Sequence, residues 1–245
     1  MYYFASDMHL GLGPASDSLH REKLLVKWLE DCSSDAKAIF LVGDIFDFWY
    51  EYKRLVPKGF SRLLGTFSRL TDAGVEIHIF PGNHDMWMYG YLEQECGLKI
   101  HYEPFITQLE GKRVFITHGD DITAQMGGFW TRVMNSGFRS RATRWMFSHL
   151  LHPNTAIRLG SKWSSYSRKS KDVAHVFLKE DEPMVKFAHK YSENNAMDYF
   201  IFGHNHCAEI YPLGEGKGTA VFLGEWIENP TYATLTSSGI ELHEL

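Results

Sequence analysis

Histidine, aspartate and asparagine recur beside glycine at five places in this chain, each at the end of a short apolar run. "YYFAS" leads into "DMHLG", giving Asp7 and His9, and "AIFLV" leads into "GDIFDFW", giving Asp44. "VEIHIFP" leads into "GNHD", giving Asn83, His84 and Asp85. "RVFIT" is followed by "HGDD", with His118 and Asp120, and "DYFIF" by "GHNH", with His204 and His206. Carboxylate, amide oxygen and imidazole without thiolate suit octahedral Mn²⁺, Fe or Mg²⁺ better than a cysteine-rich structural zinc site. Asp7, His9, Asp44, Asn83, His118, His204 and His206 make seven donors, too many for one ion and suited to two that share a bridging carboxylate. Two metals about 3.5–4 Å apart are a recurrent device for in-line displacement at phosphorus. Any one motif is equally well explained as a turn, because Asp, Asn and Gly follow strands for that reason alone. Five in order, each after a strand, are not.

The apolar runs at 2–6, 38–42, 75–80, 113–117 and 198–202 are short and rich in β-branched and aromatic residues, so strands are expected there. In Asp7-x-His9 and His204-x-His206 the paired donors are two residues apart, and an extended chain would point both to one side. Gly43, Gly82, Gly119 and Gly203 allow the backbone to turn tightly beside them. Ligands of open α/β sheets bind outside the carboxyl ends of the strands, so five adjacent strand ends are expected to converge on one spot. Helical patterns follow Asp17-Ser18, with Leu24, Leu25, Trp28 and Leu29 on one stripe, and run over about 60–73, with Gly74 as the cap. Glu182-Pro183 opens a further helix, and consecutive strands follow residue 207. Strand–helix alternation followed by strands implies a mixed α/β sandwich.

The chain has 245 residues, 44% of them hydrophobic and 22% charged, as expected of one globular domain with a sizeable core. A net charge of −5 argues against wholesale nucleic-acid binding, which needs an excess of Lys and Arg. Cys32, Cys96 and Cys207 are odd in number and have no C-x-x-C spacing, which fits free thiols in a reducing compartment. The start "MYYFASDMHLG" has no basic, then apolar, signal pattern, and no apolar run approaches the ~18 residues of a membrane span. The expected location is the cytoplasm.

One stretch stands apart. Ile122 to Lys171 contains no Asp or Glu, yet it holds nine cations, from Arg132 to Lys171, interleaved with Phe129, Trp130, Phe138, Trp145, Phe147 and Trp163. It reads as a helical insertion at about 122–172, between the fourth and fifth strands, in a single domain spanning 1–245. A solvated face would normally mix both charge signs and needs no tryptophans. Cations beside aromatics suit an anionic head group with acyl chains, or alternatively single-stranded nucleic acid.

As a set, "DMHLG", "GDIFDFW", "GNHD", "HGD" and "GHNH" resemble the five blocks of the calcineurin-like metallophosphoesterases, over roughly residues 1–210. "GDIFDFWYEYK", "PKGFSRLLG", "GNHDMWM" and "LGEWI" are similar to the bacterial UDP-2,3-diacylglucosamine diphosphatases of lipid A biosynthesis. The fold this implies is a pair of packed mixed β-sheets flanked by helices, here with a helical lid. The resemblance implies that Asp7, His9, Asp44 and His206 hold one metal and that Asp44, Asn83, His118 and His204 hold the other, Mn²⁺ being the expected ion. It implies a water activated between them, with His84 as the catalytic group that donates toward the phosphate and Asp85 holding the tautomer of His84. Asp47 reads as a structural residue at the edge of the site. The last block has Asn205 where Thr or Arg is more usual, and the substrate-contacting acid found after "HGD" in many members has no clear counterpart.

The resemblance also turns the insertion toward lipid, because related diphosphatases carry their acyl-chain groove under a helical cap at this point. Substrate contacts are expected from Asn83, His84 and His204, and from Arg168, Lys169, Ser170 and Lys171 in "SRKSK" as a phosphate clamp. The substrate implied is a lipid-linked nucleotide met at the inner-membrane surface, with neither nucleic acid nor an obligate protein partner. The rivals are a soluble phosphodiesterase or nucleotidase on the same fold, and a metal-free scaffold, which should have lost some of the seven donors.

Overall fold

The computed structural model describes residues 1–126, 137, 140, 143, 145, 152–155, 157–160 and 176–245. Two sheets pack face to face between helices, giving four layers. The first sheet has the order β11-β10-β1-β2-β3-β4, with β1 Tyr2–Ala5, β2 Ala38–Leu41, β3 Ile77–Ile79, β4 Lys99–Ile100, β10 Thr231–Thr236 and β11 Gly239–Glu244. The second has the order β5-β6-β7-β9-β8, with β5 Phe105–Leu109, β6 Lys112–Thr117, β7 Tyr199–Phe202, β8 Ala208–Pro212 and β9 Thr219–Leu223. β1, β2, β3 and β4 run parallel, as do β6, β7 and β9; β10 and then β11 add antiparallel to the first sheet, and β5 and β8 edge the second antiparallel. The fold is the mixed sandwich expected from the sequence.

The strands carry apolar residues on both faces, as strands covered on both sides must. Tyr3, Ala5, Ile39 and Leu41 turn outward and pack on Leu25, Trp28 and Leu29 of α1 (Ala15–Cys32) and Leu63, Phe67 and Leu70 of α2 (Ser61–Asp72). Phe4, Phe40 and Val42 alternate with them and meet Val114, Ile116, Ile201 and Val221 of the second sheet. On the far side, Phe115, Phe200, Phe202 and Phe222 pack on Met184, Val185 and Ala188 of a later helix, Pro183–Ser192. Two short helices, α3 (Tyr91–Cys96) and α4 (Asp120–Met126), precede it, so Pro183–Ser192 is α5.

Three details differ from the sequence reading. α1 begins at Ala15, two residues before Asp17, because Pro14 stands at its N-cap and the first turn tolerates the polar run. The third strand is only Ile77–Ile79, and β4 and β5 were not anticipated, being short or half-exposed. The five motif-bearing strands are not five neighbours in one sheet: β1, β2 and β3 belong to one and β6 and β7 to the other. Convergence therefore occurs across the sandwich, at one end of it. Cys32, Cys96 and Cys207 are all free thiols. Among the described residues no helix is long and apolar enough to cross a membrane.

Candidate metal centre

The loop after β1 runs beside the loop after β2, tied to it by Val42 N–H to Ala5 O at 2.8 Å, Asp7 N–H to Gly43 O at 3.1 Å and His9 N–H to Asp44 O at 2.9 Å. Here the extended-chain expectation fails. Asp7, His9, Asp44, His204 and His206 all have positive φ, between 46° and 69°. They are five of the eight described non-glycine residues in that region, so backbone strain is concentrated at this one site. Such conformations cost roughly 1–3 kcal/mol each and persist where the surroundings over-determine them. The paired donors are aligned by left-handed turns, not by strand alternation.

Close approach completes the cradle. A Cβ on Gly82 would lie 2.2 Å from Asp44 Oδ1, and one on Gly203 would lie 2.0 Å from Ser6 Oγ and 2.8 Å from Asp7 Oδ2. Only glycine lets these loops lie so near the carboxylates. Asp44 Oδ1 accepts from His84 N–H at 2.9 Å, and Asp7 Oδ2 accepts from His204 N–H at 2.9 Å and from the Ser6 hydroxyl. The opposite oxygens face the histidines. Asp44 Oδ2 lies 3.4 Å from His118 Nε2 and 3.9 Å from His9 Nε2, and Asp7 Oδ1 lies 3.3 Å from His206 Nε2 and 3.6 Å from His9 Nε2.

Three overlapping sets result, each with donor atoms within 4.8 Å of one another: Asp7, His9 and His206; His9, Asp44 and His84; Asp44, His118 and His204. Asp44 and His9 are each shared by two sets. Asn83 sits beside them, its Oδ1 buried without a hydrogen-bond partner, as are Asp7 Oδ1 and His118 Nε2. Buried polar atoms left unpaired cost about 1–3 kcal/mol each, and an acceptor lone pair so placed is what a cation satisfies. The His118 tautomer is suited to this: Nδ1–H donates to Val42 O at 2.8 Å, which leaves the Nε2 lone pair facing Asp44.

The electrostatics point the same way. Burial opposes charge on His9, yet the carboxylates of Asp47, Asp7 and Asp44 outweigh it and raise the pKa to about 9. Burial likewise opposes charge on His118, and Asp44, Asp7 and Asp120 raise it to about 10. Burial would raise Asp44, but His118, His84 and His9 hold it far below the usual carboxylate range; for Asp7 the same is done by His206, His9 and His118. The site thus demands positive charge, supplied by protons or by metal. With these carboxylate, amide and imidazole donors, the cluster is a divalent-metal site.

His84 joins the cluster from one side, its Nε2 4.0 Å from Asp44 Oδ2 and its ring edge-on to His9 with centroids 4.9 Å apart. Asp85 does not hold its tautomer. Asp85 accepts instead from Gly82 N–H at 2.7 Å, Ile45 N–H at 2.8 Å and Phe46 N–H at 3.2 Å, clamping the "GNHD" loop to the "GDIFDFW" loop. The tautomer role falls to the Asp47 carbonyl, 3.2 Å from His84 Nδ1. Asp47 does more than edge the site, since its Oδ1 lies 3.6 Å from His9 Nδ1, behind the ring whose Nε2 faces the other donors. Sequence reading also missed Ser6, whose hydroxyl binds the Asp7 carboxylate and Val42 O; its position before "DMH" was the available signal. Arg168, Lys169, Ser170 and Lys171, with most of the basic insertion, lie outside the described residues.

The calcineurin-like phosphoesterase family matches residues 2–208. A UDP-2,3-diacylglucosamine hydrolase of Porphyromonas gingivalis is 34% identical over 256 residues, spanning 99% of this chain and 97% of that protein. One of Histophilus somni, under the same name, is 22% identical over 242 residues, spanning 98% and 97%. The five motifs, the two-sheet sandwich and the clustered Asp and His side chains at its end agree with that match: the chain belongs to the calcineurin-like phosphoesterase family.

Proposed function

We propose that this protein hydrolyses UDP-2,3-diacylglucosamine to 2,3-diacylglucosamine 1-phosphate and UMP, a pyrophosphatase step of lipid A biosynthesis. The observation that carries it is a metal-competent cluster shared through Asp44, in a chain matched nearly end to end by relatives of that name. Asp7, His9, Asp44 and His206 would hold one ion and Asp44, Asn83, His118 and His204 the other, with Mn²⁺ expected for both. When bound, two divalent cations supply the Lewis acidity that neutralises phosphoryl oxygens and makes water nucleophilic near neutral pH.

This chain's residues do the rest. Asp44 is shared by both halves of the cluster, its Oδ2 facing His9 of one and His118 of the other, while its backbone is pinned in the left-handed region. Asn83, His84 and His204 contact the diphosphate, and His84, as the imidazolium with Nδ1–H on the Asp47 carbonyl, donates from Nε2–H toward the phosphate or leaving oxygen. One P–O–P linkage is cut, water's oxygen stays on one phosphorus, and its proton reaches the departing phosphate. The insertion of 122–172 acts as a lid, with Arg168, Lys169, Ser170 and Lys171 gripping the charged part of the substrate and the interleaved aromatics meeting the acyl chains. The enzyme works at the cytoplasmic face of the inner membrane, to which the lid binds peripherally.

The test is an assay with Mn²⁺ on UDP-2,3-diacylglucosamine in detergent, alongside bis-p-nitrophenyl phosphate. Release of UMP at a kcat/KM far above that for the small diester is expected. Cleavage of the small diester alone would assign the fold to soluble phosphodiester chemistry.

A further inference from the structure

One surface of the core has no part in the metal chemistry. Residues 52–71 hold Lys53, Arg54, Lys58, Arg62 and Arg69 and no Asp or Glu, in a chain of net charge −5. Arg69 pairs with Glu30; among the described residues no carboxylate pairs with the other four. Tyr52 N–H donates to Leu55 O at 2.8 Å, closing a turn that presents Lys53 and Arg54 at its tip. Leu55, beside them, is 58% exposed, among the most exposed large apolar side chains described.

That turn borders a groove of about 1060 Å³ lined by Tyr52, Leu55, Tyr89, Tyr91 and Trp145, and Trp145 is itself 57% exposed. Two carboxylates also line it. Glu51 is buried and bound inward by the backbone N–H groups of Tyr89 and Tyr91 and by Trp49 Nε1, leaving Glu95 as the exposed acid on the groove. The groove is joined to the metal centre through the backbone: Trp49 N–H reaches His84 O at 3.4 Å and Glu51 N–H reaches Trp87 O at 3.0 Å.

We infer that the turn at residues 53–58, together with Trp145, is a docking surface for an anionic phospholipid bilayer. Unpaired Lys and Arg side chains meet lipid phosphates, while exposed Leu and Trp enter the boundary between head groups and chains. A site for nucleic acid would share the cations but would gain nothing from Leu55. The position explains the use: a bilayer held at this turn lies beside the loop carrying Asn83 and His84, so a lipid-linked diphosphate reaches the metals without leaving the membrane. The inference rests on the lipid-substrate reading and adds a contact borne by the core turn at 53–58, joined there by Trp145 of the insertion, to the one assigned to the lid.

Flotation with vesicles of phosphatidylcholine and phosphatidylglycerol at 7:3, compared with phosphatidylcholine alone, tests it on the full chain. The wild type should float with the anionic vesicles at 100 mM salt and be released at 500 mM. K53E/R54E should weaken binding at least tenfold, given roughly fivefold per cation near such a surface. L55D should also weaken it, and both variants should keep wild-type circular dichroism and wild-type hydrolysis of bis-p-nitrophenyl phosphate. Wild-type flotation by both variants would overturn the inference. So would undiminished flotation by L55D with equally tight binding of the wild type to single-stranded oligonucleotide, which would assign the patch to polyanions. Hydrolysis of the detergent-dispersed lipid nucleotide by wild type reads the proposed function separately, so failure there and failure in flotation are distinguishable.

Discussion

Asp44 is the residue on which most of the site depends. One of its oxygens is fixed by His84 N–H and the other faces His118, His9 and His84, so its removal strips charge from both halves of the cluster. Asp44→Ala should fold yet lose both ions and nearly all activity; two metals per chain retained, by mass spectrometry of the purified variant, would sink the bridging role. His84 should behave differently, because it is proposed to act on phosphate. His84→Ala should keep its metals and substrate affinity and lose about 10²–10⁴-fold in kcat, the usual size of a general acid–base contribution. Near-wild-type turnover would return His84 to a structural part. Why these residue types gather was legible in the motifs; how their neighbours are divided was not. Asp85, adjacent to His84 in sequence, turns to three backbone N–H groups, whereas Asp47 from another loop stands behind His84 and His9. Sequence adjacency misleads wherever a tight turn sends neighbouring side chains opposite ways.

At the scale of elements, the strands with dense β-branched and aromatic runs could be read directly, since each is covered on both faces. The half-exposed β5 and the two-residue β4 could not, having too little apolar pattern to register. The left-handed turns that build the site were equally hidden, because only a small fraction of non-glycine residues adopt them, and residue type alone does not say which Asp or His will. Close loop approach yields a test. Gly82→Ala places a methyl within 2.2 Å of Asp44 Oδ1 and 2.6 Å of Asp44 N, and so should lower metal content and kcat/KM together while the sheets persist by circular dichroism. At the edge of the first sheet, β3 and the residue after β4 bring His78 and His101 into a stacked pair, Nδ1 to Nε2 at 2.8 Å, against Phe40, Phe80 and Phe105. Burial, then His78 and Lys99, lowers the His101 pKa to about 4, and burial also lowers His78. An unfolded histidine takes up its proton near pH 6.5, so between there and about 4 the unfolded chain binds more protons, and stability falls as pH falls. The loss should be about 1–2 kcal/mol by pH 5, reduced from the full shift because the rings are partly exposed. Urea midpoints at pH 7.5 and 5 should differ less in a His78→Phe/His101→Phe variant than in wild type; an unchanged difference would remove the pair from the pH response.

Across the whole molecule, chemistry and substrate choice are proposed to be carried by separate parts. The metal cluster is built at the end of the two-sheet sandwich from loops bonded to one another, and among the described residues every donor of its three sets lies outside the insertion. The proposed lid, from Ile122 to Lys171, supplies cations and aromatics that a small substrate has no means to use. Binding energy from remote parts of a substrate assists the reacting centre only when those parts are present. Removing charge at Arg168 and Lys171, or replacing Trp130 and Trp145 with polar residues, should therefore lower kcat/KM on UDP-2,3-diacylglucosamine by about 10²-fold or more, the size expected from one or two lost charge-assisted contacts. Bis-p-nitrophenyl phosphate, which needs only the metals, should be cleaved almost as before. Equal losses on both substrates would mean that the insertion supports the fold of the site, and no loss on either would mean that the lid takes no part in binding. The two substrates, run on the same purified variants with metal content measured in parallel, therefore separate a lid that selects a lipid from one that only covers the end of the sandwich.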